Sequence, residues 1–252
     1  MNATFVSVVV PAYNEASCIE SNLEKVVNYL GARFSQFEVI VVDDGSEDDT
    51  TKKLAGAALK EPRIKLLAFP TNRGKGFVVR QGVLQARGNA IFFTDADLSI
   101  PVEAIEKGLR ELAEGYPVVI ASRQHPDSVI RQHQGRLREV IGRGFNLFVR
   151  TLLSLPFKDT QCGFKGFTWK AAQDIFSRAS IEGFAFDVEM LVIARKLGYA
   201  VKEIPVCWTN SPESKVRPLR NSLRVVKELL KIYWNDRQGR YGPKSIGSQR
   251  NL

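Results

Sequence analysis

The chain has 252 residues, 44% hydrophobic and 25% charged, with 3 Cys. These are globular values, and they exclude a disordered, collagen-like or disulfide-stapled protein. Lys and Arg number 36 against 27 Asp and Glu, a net charge of +9. The excess is uneven, because residues 1–122 carry 13 basic and 16 acidic side chains and residues 123–252 carry 23 and 11. A basic half suits nucleic acid, an anionic membrane surface or a phosphate-bearing ligand equally, so charge alone chooses no partner.

Through residue 122, short β-branched runs alternate with longer amphipathic stretches, the pattern of βαβ units on a parallel sheet. Strands are expected at Phe5–Val10, Val39–Val42, Ile64–Phe69, Ala90–Thr94 and Val118–Ala121. Each is nearly continuously apolar, as strands covered on both faces are. Helices are expected between them at Ala16–Leu30, Asp48–Leu59, Gly76–Ala86 and Val102–Ala113, with Pro101 suited to a helix start. The second half reads as a basic amphipathic helix over about Gln132–Ser154 and a loop at Lys158–Phe167, followed by a helix near Phe186–Leu197. A strand near Ala200–Val206 and a last helix at Pro218–Trp234 complete it. Residues 237–252 are polar and rich in Gly, Arg and Ser, the composition of a flexible tail.

The fold class is therefore α/β: a Rossmann-like, mostly parallel sheet flanked by helices, with C-terminal amphipathic helices, in one domain over 1–236. No apolar run approaches the roughly 18–20 residues of a membrane span, since Arg150 interrupts the longest candidate between Phe145 and Leu155. The N-terminus lacks the basic start, apolar stretch and cleavage site of a secretory signal, so a cytoplasmic location is expected. Cys18, Cys162 and Cys207 are odd in number and far apart, and they read as small buried thiols.

In an open parallel sheet, ligands bind beyond the carboxyl ends of the strands. The segments there are Pro11-Ala12-Tyr13-Asn14-Glu15, Asp43-Asp44-Gly45-Ser46, Asn72-Arg73-Gly74-Lys75-Gly76, Asp95-Ala96-Asp97 and Ser122-Arg123. Asp95 and Asp97 can hold a divalent cation against a diphosphate, because hard carboxylate oxygens suit Mg²⁺ or Mn²⁺. The same pattern also serves as a turn with capping acids, and Asp43 to Ser46 carries the same two meanings. Lys75 between glycines can approach phosphate, but it lacks the Walker spacing, and no GxGxxG follows the first strand, which argues against an NTPase or a dinucleotide oxidoreductase.

Taken in order, PAYNE, VDDGS, NRGKG and TDADLS after successive strands resemble the family 2 glycosyltransferases of GT-A fold. The later motifs Ala121-Ser122-Arg123, Asp159 to Lys165 (DTQCGFK) and Glu213-Ser214-Lys215-Val216 resemble, within that family, the polyprenyl-phosphate hexose synthases that act on dolichyl or bacterial polyprenyl phosphates. The resemblance covers roughly residues 5–233. It implies a nucleotide-sugar-binding half over 1–122 and an acceptor- and membrane-facing half over 123–236. Pro11, Tyr13, Asn14 and Glu15 would form the base and ribose pocket with Asp43 or Asp44, and Lys75, Asp95, Ala96 and Asp97 would line the donor site. Asp95 and Asp97 would hold Mg²⁺ or Mn²⁺. Some mannose synthases complete that shell with a Gln two residues past the second Asp, where this chain has Ser99. Arg123, Arg138, Ser214 and Lys215 would grip the donor and acceptor phosphates, with Arg143 a weaker match.

The implied reaction is inverting, metal-dependent transfer of a hexose from a nucleotide-sugar to a polyprenyl phosphate at the cytosolic membrane face. UDP-glucose is favoured as donor, with GDP-mannose as the alternative. A family 2 enzyme with a sugar-hydroxyl acceptor would instead need a base, for which Asp187 is the candidate; its plainer reading is an acid at a helix N-terminus. Arg131–Arg150 and Arg217–Trp234 are basic and amphipathic, suited to an anionic membrane surface or to packing on the sheet with a solvated basic face. A nucleic-acid-binding module would leave the carboxylate clusters unexplained. His125 and His133 read as surface residues, and Trp169, Trp208 and Trp234 as core or interface aromatics.

Overall fold

Strands β1 (Val6–Ala12), β2 (Phe37–Asp43), β4 (Ala90–Thr94) and β5 (Val118–Ser122) are buried at every residue, the consequence of covering a β-branched sheet on both faces. The computed structural model of the protein describes residues 4–132, 136–209 and 218–242, without the side chains of 136–141, 143 and 218–222. The remaining described strands are β3 (Ile64–Ala68), β6 (Val129–Gln132), β7 (Phe164–Thr168), β8 (Val201–Pro205) and β9 (Cys207–Thr209). The helices are α1 (Ile19–Arg33), α2 (Thr50–Lys60), α3 (Lys75–Gln85), α4 (Ala104–Ala113), α5 (Arg136–Leu153), α6 (Trp169–Phe176), α7 (Phe186–Lys196) and α8 (Pro218–Arg237).

The main sheet has seven strands in the order β3-β2-β1-β4-β7-β5-β8. All pairings are parallel except those of β7, which runs antiparallel to both β4 and β5. Alternation along each strand divides the core in two. Val9, Ile40, Ile91, Phe93 and Phe167 pack with α3, α6 and α7. Val8, Val39, Val41, Phe92 and Phe164 face α1 and α4.

Several elements depart from the sequence reading. Most of the segment's second half, expected as part of a loop at Lys158–Phe167, belongs to β7, a central strand that a buried lysine and a glycine disguise. Phe164 and Phe167 are fully buried and stack on Phe92 and Phe93 at 5.6 and 6.4 Å between ring centroids. Each such side chain contributes on the order of 2–3 kcal/mol of burial. A Cβ on Gly166 would overlap the Phe92 ring, so the glycine is a packing requirement. Helix α6 and the small parallel sheet of β6 with β9 carry too short a periodicity to be foreseen.

The chain expected to fray from residue 237 instead packs through 242. Tyr241 is buried and donates to the Glu189 carboxylate at 2.7 Å, while accepting from the Asn235 amide at 3.1 Å. Of the cysteines only Cys162 is buried; Cys18 and Cys207 are half-buried.

Candidate active site

Parallel strands bring their carboxyl ends to one edge: Ala12 lies opposite Asp43, and Val9 opposite Phe93. Because β7 runs the other way, it is its beginning that reaches this edge, with Phe164 opposite Thr94. Six segments distant in sequence converge there: 11–15, 43–46, 72–76, 95–97, 122–123 and 159–164.

The first two loops are bound to each other. Asn14 has a left-handed backbone, φ 55°; its N–H donates to Ser46 Oγ at 2.9 Å and its side-chain oxygen accepts from the Glu47 N–H at 2.8 Å. Asp43 accepts from the Ser46 N–H at 3.3 Å and hydroxyl at 2.5 Å, and from the Thr51 hydroxyl. Asn14 and Asp43 thus hold the frame of the pocket together, with Pro11 buried behind them and Tyr13 and Glu15 half-buried at its rim. Asp44, also buried, accepts from the N–H groups of Arg73 and Gly74, both at 2.8 Å. It fixes the third loop onto the second. Burial holds its carboxyl above the ordinary aspartate value, a shift these amides only partly offset. Gly74 has φ 118° and its backbone presses on Glu182, so neither the conformation nor the space admits a side chain.

Asp97 fulfils the turn reading: its two oxygens accept from the Ser99 N–H at 2.9 Å and hydroxyl at 2.8 Å. A carboxylate offers about four lone-pair positions, so both oxygens retain capacity. The buried Ala96 contributes its carbonyl, which accepts from Asn22 at 2.9 Å. Asp95 is 36% exposed and its Oδ1 lies 2.5 Å from the Lys75 ammonium. Lys75 is held above the ordinary lysine value: burial opposes its charge, but Asp95, Asp187 and Asp97 outweigh that. The site fits Mg²⁺ or Mn²⁺ by its hard oxygen donors, one of which already holds a cation. Among the described residues no third Asp, Glu, His or Cys joins the two aspartates, so such an ion would depend on water and ligand oxygens for the rest of its shell.

Arg123 forms a bidentate pair with Asp159, Nε to Oδ2 at 2.7 Å and Nη2 to Oδ1 at 2.9 Å, and its N–H adds a third bond at 3.0 Å. Burial disfavours the Asp159 charge, yet the guanidinium holds its carboxyl below the ordinary value. Glu203 supports the loop by accepting from the N–H groups of Lys158 and Asp159 at 2.9 and 3.2 Å. The pair leaves guanidinium N–H groups of Arg123 directed elsewhere, and the Trp208 ring stands 5.8 Å away.

Behind Asp95, the fully buried Lys165 donates to Asp187 Oδ1 at 2.5 Å and to the Cys162 carbonyl at 2.8 Å, with its ammonium 5.3 Å from the centre of the Phe93 ring. Asp187 lies in the first turn of α7, as the plainer sequence reading has it, and is at the same time half of a buried ion pair. Burial raises its carboxyl, opposed by Lys165 and Lys75. Burial also pushes the Cys162 thiol up to about 12.

Arg138 lies on α5, whose Asn146 donates to the Lys158 carbonyl and accepts from the Thr160 hydroxyl at 3.0 Å. The side chains of Arg138 and Arg143, and Ser214 and Lys215 altogether, lie outside the described residues, as does His133. His125 sits in a surface turn, where its Nδ1 accepts from the Asp127 N–H at 3.2 Å. Trp169 and Trp234 are exposed, so neither is a core residue. Sequence reasoning missed Lys165, Glu203 and Arg224 as parts of the site. Arg224 reaches it from α8, its guanidinium donating to the Arg73 carbonyl at 3.4 Å.

The profile of the family described as glycosyl transferase family 2 matches residues 7–176. The dolichyl-phosphate beta-glucosyltransferase of Dictyostelium discoideum is 36% identical over 240 residues, 90% of this chain and 73% of that protein. Those of Mus musculus and Homo sapiens are 39% and 37% identical over 90% of this chain and 74% of theirs. Among solved structures, glucosyl-3-phosphoglycerate synthase from Mycobacterium tuberculosis in complex with UDP has a TM-score of 0.67 at 20% identity, over 96% of this chain and 82% of that one. The same enzyme with Mn²⁺, UDP and glucosyl-3-phosphoglycerate gives 0.66 at 19%, with the same coverage. These structures share the GT-A fold with the present one. By the match over most of its length and the identity to these relatives, the chain belongs to glycosyl transferase family 2 and is a glycosyltransferase.

Proposed function

We propose that the protein transfers glucose from UDP-glucose to a polyprenyl phosphate, with inversion and with Mg²⁺ or Mn²⁺, at a membrane surface. One observation carries this reading: Asp95, Asp97, Lys75 and Arg123 meet at the carboxyl edge of the sheet beside a pocket framed by residues 11–15 and 43–46. The relatives' names favour glucose over mannose, and the UDP bound by the structural neighbours favours that base over guanine.

A polyprenyl monophosphate is largely dianionic at neutral pH, so its oxygen can attack the anomeric carbon without a strong base. The demands left are positioning and charge. A divalent cation between Asp95 and Asp97 would neutralise the departing nucleoside diphosphate. Lys75 offers the same oxygens an ammonium, and Arg123, oriented by Asp159, offers free N–H groups to a phosphate. Arg138, Ser214 and Lys215 are assigned to the acceptor phosphate. Asp187 is enclosed and neutralised by Lys165, which speaks against its serving as a base for a sugar hydroxyl.

The membrane surface is assigned to α5 and α8. Helix α8 is apolar on two opposite sides: Leu229 and Ile232 point into the core, while Leu223 (78% exposed), Val226, Leu230 and Trp234 (60% exposed) point outward. Lys227 and Lys231 flank that outer stripe, and Leu147 and Phe148 are exposed on α5. An apolar stripe edged by lysines fits an anionic bilayer interface. No helix among the described residues is long and apolar enough to cross a membrane.

The test is transfer of labelled sugar into organic-extractable lipid, with UDP-glucose and GDP-mannose in parallel and a polyprenyl phosphate as acceptor. Label from UDP-glucose alone, abolished by EDTA and by Asp97→Ala, is the expected result. Label from GDP-mannose would overturn the donor assignment. Transfer only to soluble sugars, lost in Asp187→Asn, would replace the acceptor assignment.

A further inference from the structure

Lys75 occupies a carboxylate that the proposed metal needs. Its ammonium lies 2.5 Å from Asp95 Oδ1, and Asp95 is the more available of the two aspartates, since both oxygens of Asp97 accept from Ser99. Asp187, on the other side of Lys75, already has Lys165 as its partner. The backbone around Lys75 is fixed: Gly74 and Gly76 press against the Ile181–Gly183 segment so closely that a Cβ on either would collide with its carbonyl groups. Only the four-carbon arm of the lysine is free to move. Arg123 has no such freedom, being clamped in two places by Asp159.

We propose that Lys75 is the resident counter-cation of Asp95, and that a nucleoside diphosphate draws it away, so that divalent cation and nucleotide load together. The inference rests on the metal-dependent reading above. Cation and ammonium compete for the same oxygen, so binding of the metal alone must displace a charge-assisted bond. When a diphosphate is present the ammonium has another anion to pair with, and Asp95 is released to the metal. Linkage makes the effect reciprocal: the metal raises nucleotide affinity by the factor by which nucleotide raises metal affinity.

Binding of Mn²⁺ to the full chain, followed by the EPR signal of the free ion with and without UDP, tests this directly. In the absence of UDP, Lys75→Gln should bind Mn²⁺ roughly tenfold more tightly than wild type, the scale of one charge-assisted hydrogen bond. Its gain in Mn²⁺ affinity on adding UDP should shrink to match, while Lys75→Arg should stay near wild type. Equal or weaker Mn²⁺ binding by Lys75→Gln overturns the proposal. Should the variant not fold, acylation of Lys75 in the wild-type protein, read by mass spectrometry, must rise with saturating Mn²⁺ alone; unchanged acylation overturns it as well. Failure of the wild type to bind Mn²⁺ even with UDP would instead remove the metal-dependent reading, and this inference with it.

Discussion

Asp159 shows how a buried residue can govern a partner that is partly exposed. It is almost completely enclosed and spends both oxygens on Arg123, whose side chain remains 35% exposed. Because its carboxyl is held below the ordinary aspartate value, the pair's contribution to stability is complete above about pH 4. It is lost as pH falls through the native value. Asp159→Asn should therefore lower stability by about 2–3 kcal/mol at pH 7, less than for a fully buried pair because solvent screens Arg123. The Tm difference from wild type should close as the pH falls below about 4. A gap that is constant with pH would mean the loss comes from packing and not from the ion pair. At Gly163 the expectation is the reverse in kind. A Cβ there would overlap the Asp95 carboxylate, so Gly163→Ala should reduce turnover on the order of 100-fold, as a displaced site group does, with Tm close to wild type.

Among the elements, β7 does most to assemble the site. Inserted antiparallel between β4 and β5, it delivers residues 159–163 to the edge already occupied by Asp95 and Arg123, which no parallel strand could do without a longer return. Its interior is close-packed against β4 through Gly166 and the ring of Phe92. Gly166→Ala should cost about 1–3 kcal/mol by overpacking, visible as a lower urea midpoint with an unchanged m-value. Helix α3 obeys the same rule, since Gly82 faces Val9 with no room for a methyl group. Its first residue, Lys75, is held in place by the contacts that seat the whole helix.

At the scale of the molecule, charge and hydrophobicity are segregated. The acidic half builds the pocket proposed for a nucleotide-sugar, and the basic half carries α5 and α8 with their outward apolar residues. Arg224 links the two, pairing with Glu228 on α8 while reaching the Arg73 carbonyl in the third loop. The membrane reading predicts co-sedimentation with phosphatidylglycerol-containing vesicles, weakened by salt because exposed charge attraction is screened. Replacing Leu230 and Trp234 together by Ser should abolish most of that binding, since burying each side chain is worth roughly 1.5–3 kcal/mol. Transfer to a short-chain, water-soluble prenyl phosphate should persist. Equal vesicle binding by that double variant would remove α8 from the membrane face.

The first half was legible in the sequence because its physics is local: β-branched runs make strands, amphipathic spacing makes helices, and parallel pairing puts every following loop at one edge. Motif order likewise marked Asp95, Asp97 and Lys75 as neighbours at that edge. The sequence could not tell that Asn14 binds across to the second loop, or that Asp187 is buried against Lys165, since those partners lie 32 and 22 residues apart. Nor could it reveal β7, whose lysine and glycine violate the apolar pattern of a central strand. A buried lysine is tolerated only where the fold supplies its carboxylate and carbonyl, and a glycine within a central strand only where an opposing ring fills the space. Both conditions are created by the tertiary structure and by nothing in the neighbouring sequence.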